Sequence, residues 1–419
     1  MSLQDTPRAE RLHIGLYGAR NSGKSSLINA LTGQKTALVS DVAGTTTDPV
    51  YKAMELFGVG PVVFIDTAGY DDEGELGTQR VEKTKEAARR TDIALLLISN
   101  EAEIEKAAEW KKRFSEAKTP VLLLLSQCDT KEDGGRALAK KIKAVVGELP
   151  LCVSAENGEG IEAIRKMILE KLPEDYEAVS LTGDLVKPGD TVLLVMPQDI
   201  QAPKGRLILP QVQTLRELLD RHCHVLCCTT DEMAATLALL KEPPQLIITD
   251  SQAFRSVHAQ KPAASRLTSF SVLFAGYKGD IAYFAASARK LLELPADAHI
   301  LIAEACTHRP LTEDIGRVKL PRLLRKRLGG QLEITVTAGR DFPADLRQAD
   351  IDFVIHCGAC MFNRKYVLSR VEACRRQGVP MSNYGIAIAA LLGILDDVEM
   401  PGGENDRQEI CQSHANTVQ

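Results

Sequence analysis

The sequence predicts an α/β protein of three domains. A P-loop doubly wound sheet is followed by a small α/β domain and a second α/β domain. Three observations carry this. The chain is long at 419 residues, and a domain takes roughly 150. Apolar strand-like runs alternate with helical stretches along most of its length. And a glycine-rich phosphate motif stands between the first such run and the first helix. Hydrophobic residues make up 44% and charged residues 26%, which suits a packed core and excludes wholesale disorder.

The first domain is expected over residues 1–175. Its strands are placed at His13–Tyr17, Pro61–Ile65, Ile93–Ile98, Val121–Leu125 and Leu151–Val153. Leu172-Pro173-Glu174-Asp175 reads as a linker. In the second domain, 176–262, strands are expected at Val192–Val195, His224–Cys228 and Leu246–Thr249. Its helices are expected around Leu215–Arg221 and Glu232–Leu240. A break at Gln260-Lys261-Pro262 opens the third domain, 263–419. There, strands are expected at Phe270–Phe274, His299–Glu304, Glu333–Thr337 and Asp352–His356, and Ile386–Ile394 reads as a core or interface helix. The tail from Pro401 is polar and is expected to fray.

Several partners are disfavoured by composition. Net charge is −5, so no global basic footprint for nucleic acid exists. No apolar run approaches the roughly 20 residues that span a bilayer. The start of the chain has no apolar signal core. The expectation is therefore a cytoplasmic protein with no membrane and no nucleic-acid partner. Its ten cysteines are then read as thiols before disulfides.

Gly18-Ala19-Arg20-Asn21-Ser22-Gly23-Lys24-Ser25 matches G-x-x-x-x-G-K-S. Its glycines let backbone N–H groups curl around phosphate oxygens, and the following helix adds a favourable dipole. Lys24 is expected to reach the β- and γ-phosphates and Ser25 to ligate Mg²⁺, with Ser22, Gly23 and Ser26 lining the site. Three further pieces follow in order. Thr46, in Gly44-Thr45-Thr46-Thr47-Asp48, suits γ-phosphate sensing and Mg²⁺. Asp66, in Asp66-Thr67-Ala68-Gly69, suits the Mg²⁺ water shell, with the Gly69 N–H facing the γ-phosphate. Ser154-Ala155 follows the last strand, where a base-contacting loop sits.

On these motifs the chain resembles the translation-factor class of small GTPases, and within it the Era and tRNA-modification branch. The resemblance implies that GTP is the nucleotide, that hydrolysis follows, and that Asn21 helps bind K⁺ in place of an arginine finger. Two departures stand out. Where the class reads N-K-x-D this chain has Ser126-Gln127-Cys128-Asp129. Asp129 can accept from guanine, but the amide that reads the other edge is gone. And Tyr70, not glutamine, follows Gly69, which points to slow hydrolysis.

The second chemical signal is Cys306-Thr307-His308 followed by His356-Cys357-Gly358-Ala359-Cys360. Both halves close expected strands, where ligand sites of parallel sheets lie. Three thiolates, Cys306, Cys357 and Cys360, suit zinc or an iron–sulfur cluster, and the residues alone leave both open. His308, His356 and Glu304 compete for a fourth position. His222-Cys223-His224 with Cys227-Cys228 also has metal-like spacing, but it crosses a strand whose side chains alternate faces. The basic run Arg322, Arg325, Lys326, Arg327 reads as a solvated helix face, and Cys374 and Cys411 carry no assigned role.

The pattern C-x-H-x47-H-C-x-x-C beside an Era-like domain resembles the HydF family, the scaffolds of [FeFe]-hydrogenase maturation, along essentially the whole chain. The resemblance implies a middle dimerisation domain and a homodimer. It implies a [4Fe–4S] cluster on the three cysteines with an exchangeable fourth ligand. It also implies a transient di-iron precursor received from the radical-SAM maturases HydE and HydG and delivered to apo-[FeFe]-hydrogenase. The competing expectation is an Era-like GTPase of RNA modification or ribosome assembly with a structural zinc.

Overall fold

A computed structural model describes residues 8–33, 49–56, 59–69, 75–172, 180–197, 207–305, 315–339 and 341–402. The chain divides into two compact units, Met1–Glu177 and Ala178–Gln419. Among the described residues no helix is long and apolar enough to cross a membrane.

The first unit is built on a six-stranded sheet. Its strands are β1 (Leu12–Tyr17), β2 (Val50–Leu56), β3 (Gly60–Asp66), β4 (Ile93–Ile98), β5 (Val121–Leu125) and β6 (Leu151–Cys152), in the order β2-β3-β1-β4-β5-β6. β2 runs antiparallel to β3 and the remaining pairs are parallel. The central strands β1, β4 and β5 are buried along their whole length. That is why they read as unbroken apolar runs: helices cover both faces of a parallel sheet. β2 is an edge strand whose residues are mostly half-buried. Its mixed pattern, VYKAMEL, gave no strand signal in the sequence.

The second unit contains two four-stranded sheets, all parallel. One holds β7 (Thr191–Val195), β8 (His224–Cys228), β9 (Leu246–Thr249) and β10 (Arg266–Ser269), ordered β10-β9-β7-β8. The other holds β11 (His299–Glu304), β12 (Glu333–Ala338), β13 (Phe353–His356) and β14 (Met381–Asn383), ordered β12-β11-β13-β14. One apolar core runs through both, from Leu193 and Ile247 to Ile302 and Ile355.

Two expectations need correction here. Phe270–Phe274 is not a strand but the start of a helix, Phe270–Lys278, in which Phe270, Val272, Leu273, Phe274 and Ala275 are all buried. A short apolar run buried all round has no periodicity to separate helix from strand. Ser269 resolves the matter locally, since its hydroxyl caps the helix by accepting from Val272 N at 3.2 Å. The boundary at 262 also moves, because β10 pairs with β9 and extends the second sheet to Ser269. The linker residues 173–175 lie outside the described residues.

The end of the described chain returns to the second sheet. Val398 bridges Leu267 in parallel, Glu399 N donates to Leu267 O (2.8 Å), and the Thr268 hydroxyl donates to Glu399 O (2.7 Å). Gly402 N then donates to Asp184 Oδ1 (3.0 Å).

Candidate functional site

In the first unit the phosphate loop occupies residues 18–23, between β1 and the helix Lys24–Thr32. Asn21 and Gly23 sit in the left-handed region (φ 61° and 87°) and turn the loop back on itself. A side chain at Gly18 would put its Cβ 2.5 Å from Ser22 Oγ and 2.9 Å from Leu97 O, so that position needs glycine. Lys24, only 7% exposed, folds its ammonium over the loop and donates to Gly18 O (3.1 Å) and Ala19 O (2.7 Å). Ser22 is buried, and Ser26 lies in the first turn of the helix.

The Ser25 hydroxyl donates to Asp66 Oδ2 at 2.6 Å. Two of the three residues expected at Mg²⁺ thus meet, one from the helix and one from the end of β3. The third, Thr46, lies outside the described residues, as does Tyr70. Gly69 follows in a turn that is tied back to β1 by Thr67, whose hydroxyl donates to Leu16 O (2.6 Å).

At the far end of the site the segment after β5 is arranged in a way the sequence did not foretell. Ser126 is 5% exposed and turns its hydroxyl onto Ile98 O (3.3 Å). Gln127 is left-handed (φ 57°), and its amide Nε2 donates to Asn21 O across the phosphate loop at 2.9 Å. Asp129 is exposed. Cys128 N donates to Val153 O (3.3 Å), joining this segment to the Ser154 turn. There the buried Ser154 hydroxyl accepts from Glu156 N and Asn157 N, both at 3.3 Å, with Ala155 beside it. Phosphate loop, Asp66 and both base loops therefore gather at the carboxyl ends of β1, β3, β5 and β6, the place where open α/β sheets bind ligands.

The cysteine site lies in the second unit. β11 and β13 are parallel neighbours with Ala303 opposite His356, so the segments that follow them leave the sheet side by side. Cys357 N donates to Ala303 O (3.0 Å), and Ala305 N donates to the Cys357 sulfur (3.0 Å). Ala305 is the residue before Cys306. Cys306 and His308 themselves lie outside the described residues, and among the described residues no three metal-ligating side chains converge. Burial pushes the Cys357 thiol up to about 11. Ala359, left-handed at φ 53°, turns the chain between Cys357 and Cys360. Soft donors on one loop, with a backbone N–H already aimed at a sulfur, fit a thiolate-ligated metal group.

His356 does not serve as an open ligand. It is 1% exposed, and both ring nitrogens are engaged: Nε2 with Arg370 Nη1 (2.8 Å) and Nδ1 with Cys357 O (2.8 Å). A guanidinium only donates, so Nε2 accepts and Nδ1 carries the proton. Burial, with the Arg370 charge, holds the ring neutral down to about pH 3. Its side chain turns inward because β13 buries that face, which the spacing of the motif could not show. Glu304, 8% exposed at the end of β11, accepts from Arg317 Nε (3.2 Å) and from the Tyr384 hydroxyl (3.4 Å). Two more residues escaped sequence reading. Lys278 closes an otherwise apolar helix and donates to Ala359 O (3.4 Å) and Phe362 O (2.8 Å), and Arg370 supports His356. Lys278 had one signal, a cation in a run otherwise fit for a core, whereas Arg370 stands among the other charged residues of its helix and had none. In the His222–Cys228 segment Cys227 is exposed on β8 while Cys223 is buried, and no three metal-ligating side chains gather there among the described residues. Arg322, Arg325, Lys326 and Arg327 are exposed on their helix, as expected.

Comparison with known proteins finds relatives for both units. A 50S ribosome-binding GTPase model matches residues 13–127. GTPase Der from Wolinella succinogenes is 35% identical over 170 residues, covering 38% of this chain and 35% of that protein. A tRNA modification GTPase MnmE from Polynucleobacter asymbioticus is 37% identical over 161 residues, covering 38% and 34%. The chain thus spans about a third of the length of these curated relatives. Among solved structures, Era bound to MgGDPNP and a 16S ribosomal RNA segment aligns over 52% of this chain and 92% of that one (TM-score 0.34, 20% identity). The first domain is a GTPase domain. Behind it, the hydrogen maturase F dimerization domain matches residues 181–279 and the hydrogen maturase F tetramerization domain matches 282–400. These two models cover more than half of the sequence between them, and the chain belongs to the hydrogen maturase F family.

Proposed function

We propose that this protein hydrolyses GTP and serves as a metallocluster scaffold, holding a [4Fe–4S] cluster on Cys306, Cys357 and Cys360. It receives a di-iron precursor from HydE and HydG and hands it to apo-[FeFe]-hydrogenase, acting in the cytoplasm as an assembly of at least two copies. One observation carries the reading. Cys357 directly follows β13, and its sulfur accepts from the N–H of Ala305, which directly follows the neighbouring β11 and precedes Cys306 in the sequence. When bound, the cluster supplies an iron with one exchangeable position. Glu304, His308 and His356 are the candidates for it, of which His356 is bonded to Arg370 and Cys357 O, and Glu304 to Arg317 and Tyr384.

In the first unit Lys24 binds the β- and γ-phosphates, and Ser25, Thr46 and Asp66 hold Mg²⁺, with the Gly69 N–H at the γ-phosphate. Ser22, Gly23 and Ser26 line the phosphates. Asn21 carries K⁺, and Asp129, Ser154 and Ala155 receive the base. GTP turnover then biases the assembly or the release of partners rather than doing cluster chemistry.

The test is anaerobic reconstitution with iron and sulfide, followed by EPR of the reduced protein with and without imidazole. A cubane signal that changes with imidazole, and that is absent in Cys357→Ala, is expected. A colourless protein carrying zinc, or one that binds RNA at physiological salt, would favour the RNA-associated GTPase instead.

A further inference from the structure

Two free thiols stand at the base end of the nucleotide site, and nucleotide binding uses neither. Cys128 lies in the segment after β5, between Gln127 and Asp129, and is 2% exposed. Cys152 ends β6 and is half-buried. Strand register brings them together. Cys152 pairs with Leu125, and the Cys128 thiol folds back to donate to Leu125 O (3.0 Å). Side chains alternate faces along each strand. Leu123, Leu125 and Cys152 pack into the same core as Cys128, whereas Leu124, Leu151 and Val153 pack into the core on the opposite face. Both sulfurs therefore lie on one side of the sheet, and the two thiols are within hydrogen-bonding reach of each other. The backbone holds the pair as well, since Cys128 N donates to Val153 O (3.3 Å).

We propose that Cys128 and Cys152 are a redox switch: oxidant joins them in a disulfide, and that bond weakens nucleotide binding. The oxidant is a small-molecule disulfide. Cys152, the less buried thiol, attacks it as the thiolate, and one half of the oxidant leaves as a thiol carrying the proton. The Cys128 thiol then gives up its proton, attacks the Cys152 sulfur and expels the second half as a thiol. Two electrons pass from the two cysteines to the oxidant, and two protons to the thiols released. Burial, with Cys152 beside it, pushes the Cys128 thiol up to about 12, which suits the second attack rather than the first. An S–S bond is about 2 Å long, far shorter than a contact between two thiols. The sulfurs must close that gap, and Cys128 must give up Leu125 O. Its neighbours move with it, so the strain falls on the Gln127 Nε2 bond to Asn21 O and on the position of Asp129.

The experiment treats the full-length protein with oxidised glutathione, then with dithiothreitol. Fluorescent-GDP titration and mass spectrometry of non-reduced peptides are run at each stage. Cys128 and Cys152 should be recovered in one cross-linked peptide, and GDP binding should weaken about tenfold, as for one or two hydrogen bonds lost across the site. Dithiothreitol should reverse both. Cys152→Ser, treated in the same way, should bind GDP as the reduced wild type does. A cross-link that leaves affinity unchanged overturns the proposal, and so does the absence of the cross-link. Equal weakening in Cys152→Ser also overturns it, because the effect then belongs to other cysteines. A reduced wild type that binds no GDP overturns the nucleotide reading, and this proposal with it. If Cys152→Ser does not fold, Cys152→Ala decides.

Discussion

Gln127 joins the base end of the nucleotide site to the phosphate end through one hydrogen bond, Nε2 to Asn21 O at 2.9 Å. Gln127→Ala removes it and leaves the backbone preference nearly unchanged, since both residues carry a Cβ at φ 57°. The lost bond is neutral and exposed, so its net worth is about 0.5–1.5 kcal/mol. If that bond steadies the loop in the form that receives phosphates, GDP binding should weaken by about two- to tenfold. Gln127→Gly removes the same bond but also relieves the left-handed strain, worth about 1–2 kcal/mol. The two variants should therefore bind GDP alike yet differ in stability, with glycine the more stable. A fluorescent-GDP titration beside urea unfolding of each variant reads both quantities. Wild-type affinity in Gln127→Ala, or an affinity difference between the alanine and glycine forms, would refute the reasoning.

Lys24→Ala removes the ammonium that lies over Gly18 O and Ala19 O and should abolish measurable GTP hydrolysis in a phosphate-release assay while leaving iron uptake intact. Phe114→Ala opens a void beside Tyr17 and Trp110, whose ring centres lie 4.8 and 5.8 Å from Phe114, and should cost about 3–5 kcal/mol. The chain has one tryptophan, so the urea midpoint followed by its fluorescence reports the first unit and should fall. Burial pushes the Cys374 thiol from 9.0 up to about 12. Between those values the folded chain keeps a proton that the unfolded chain loses, so this group stabilises below pH 9 and the benefit is lost as pH rises. Urea midpoints should drop more steeply from pH 8.5 to 10.5 in wild type than in Cys374→Ala.

The central strands were legible because burial on both faces forces unbroken apolar runs: Ile93–Ile98 and Val121–Leu125 are expected and found with the same ends. β2 was not, since an edge strand with VYKAMEL satisfies no simple pattern. β10 and β14, four and three residues long, are too short for a period to show. In the nucleotide site, the residues legible in the sequence were those whose spacing is fixed by local backbone, such as Gly18 to Ser25. The contact of Gln127 with Asn21 spans 106 positions and exists only through the fold. His356 shows the converse. Its place beside Cys357 looked like ligation, but the side on which β13 faces the core, and the arrival of Arg370 there, decide what the ring does.

The return of Val398–Glu399 onto Leu267 bears on how the chain can be cut. A fragment ending near residue 280 would contain all four strands of the second sheet, yet it would leave the Leu267 carbonyl and the Thr268 hydroxyl without the partners that arrive from Glu399. It would also strip apolar cover from Leu193 and Ile247, which share their core with the third sheet. Evolution and the bench face the same constraint: the two hydrogen maturase F domains are separable as sequence models, but the last described residues sew them together. Shuffling either one alone into another protein would require a replacement for that seam.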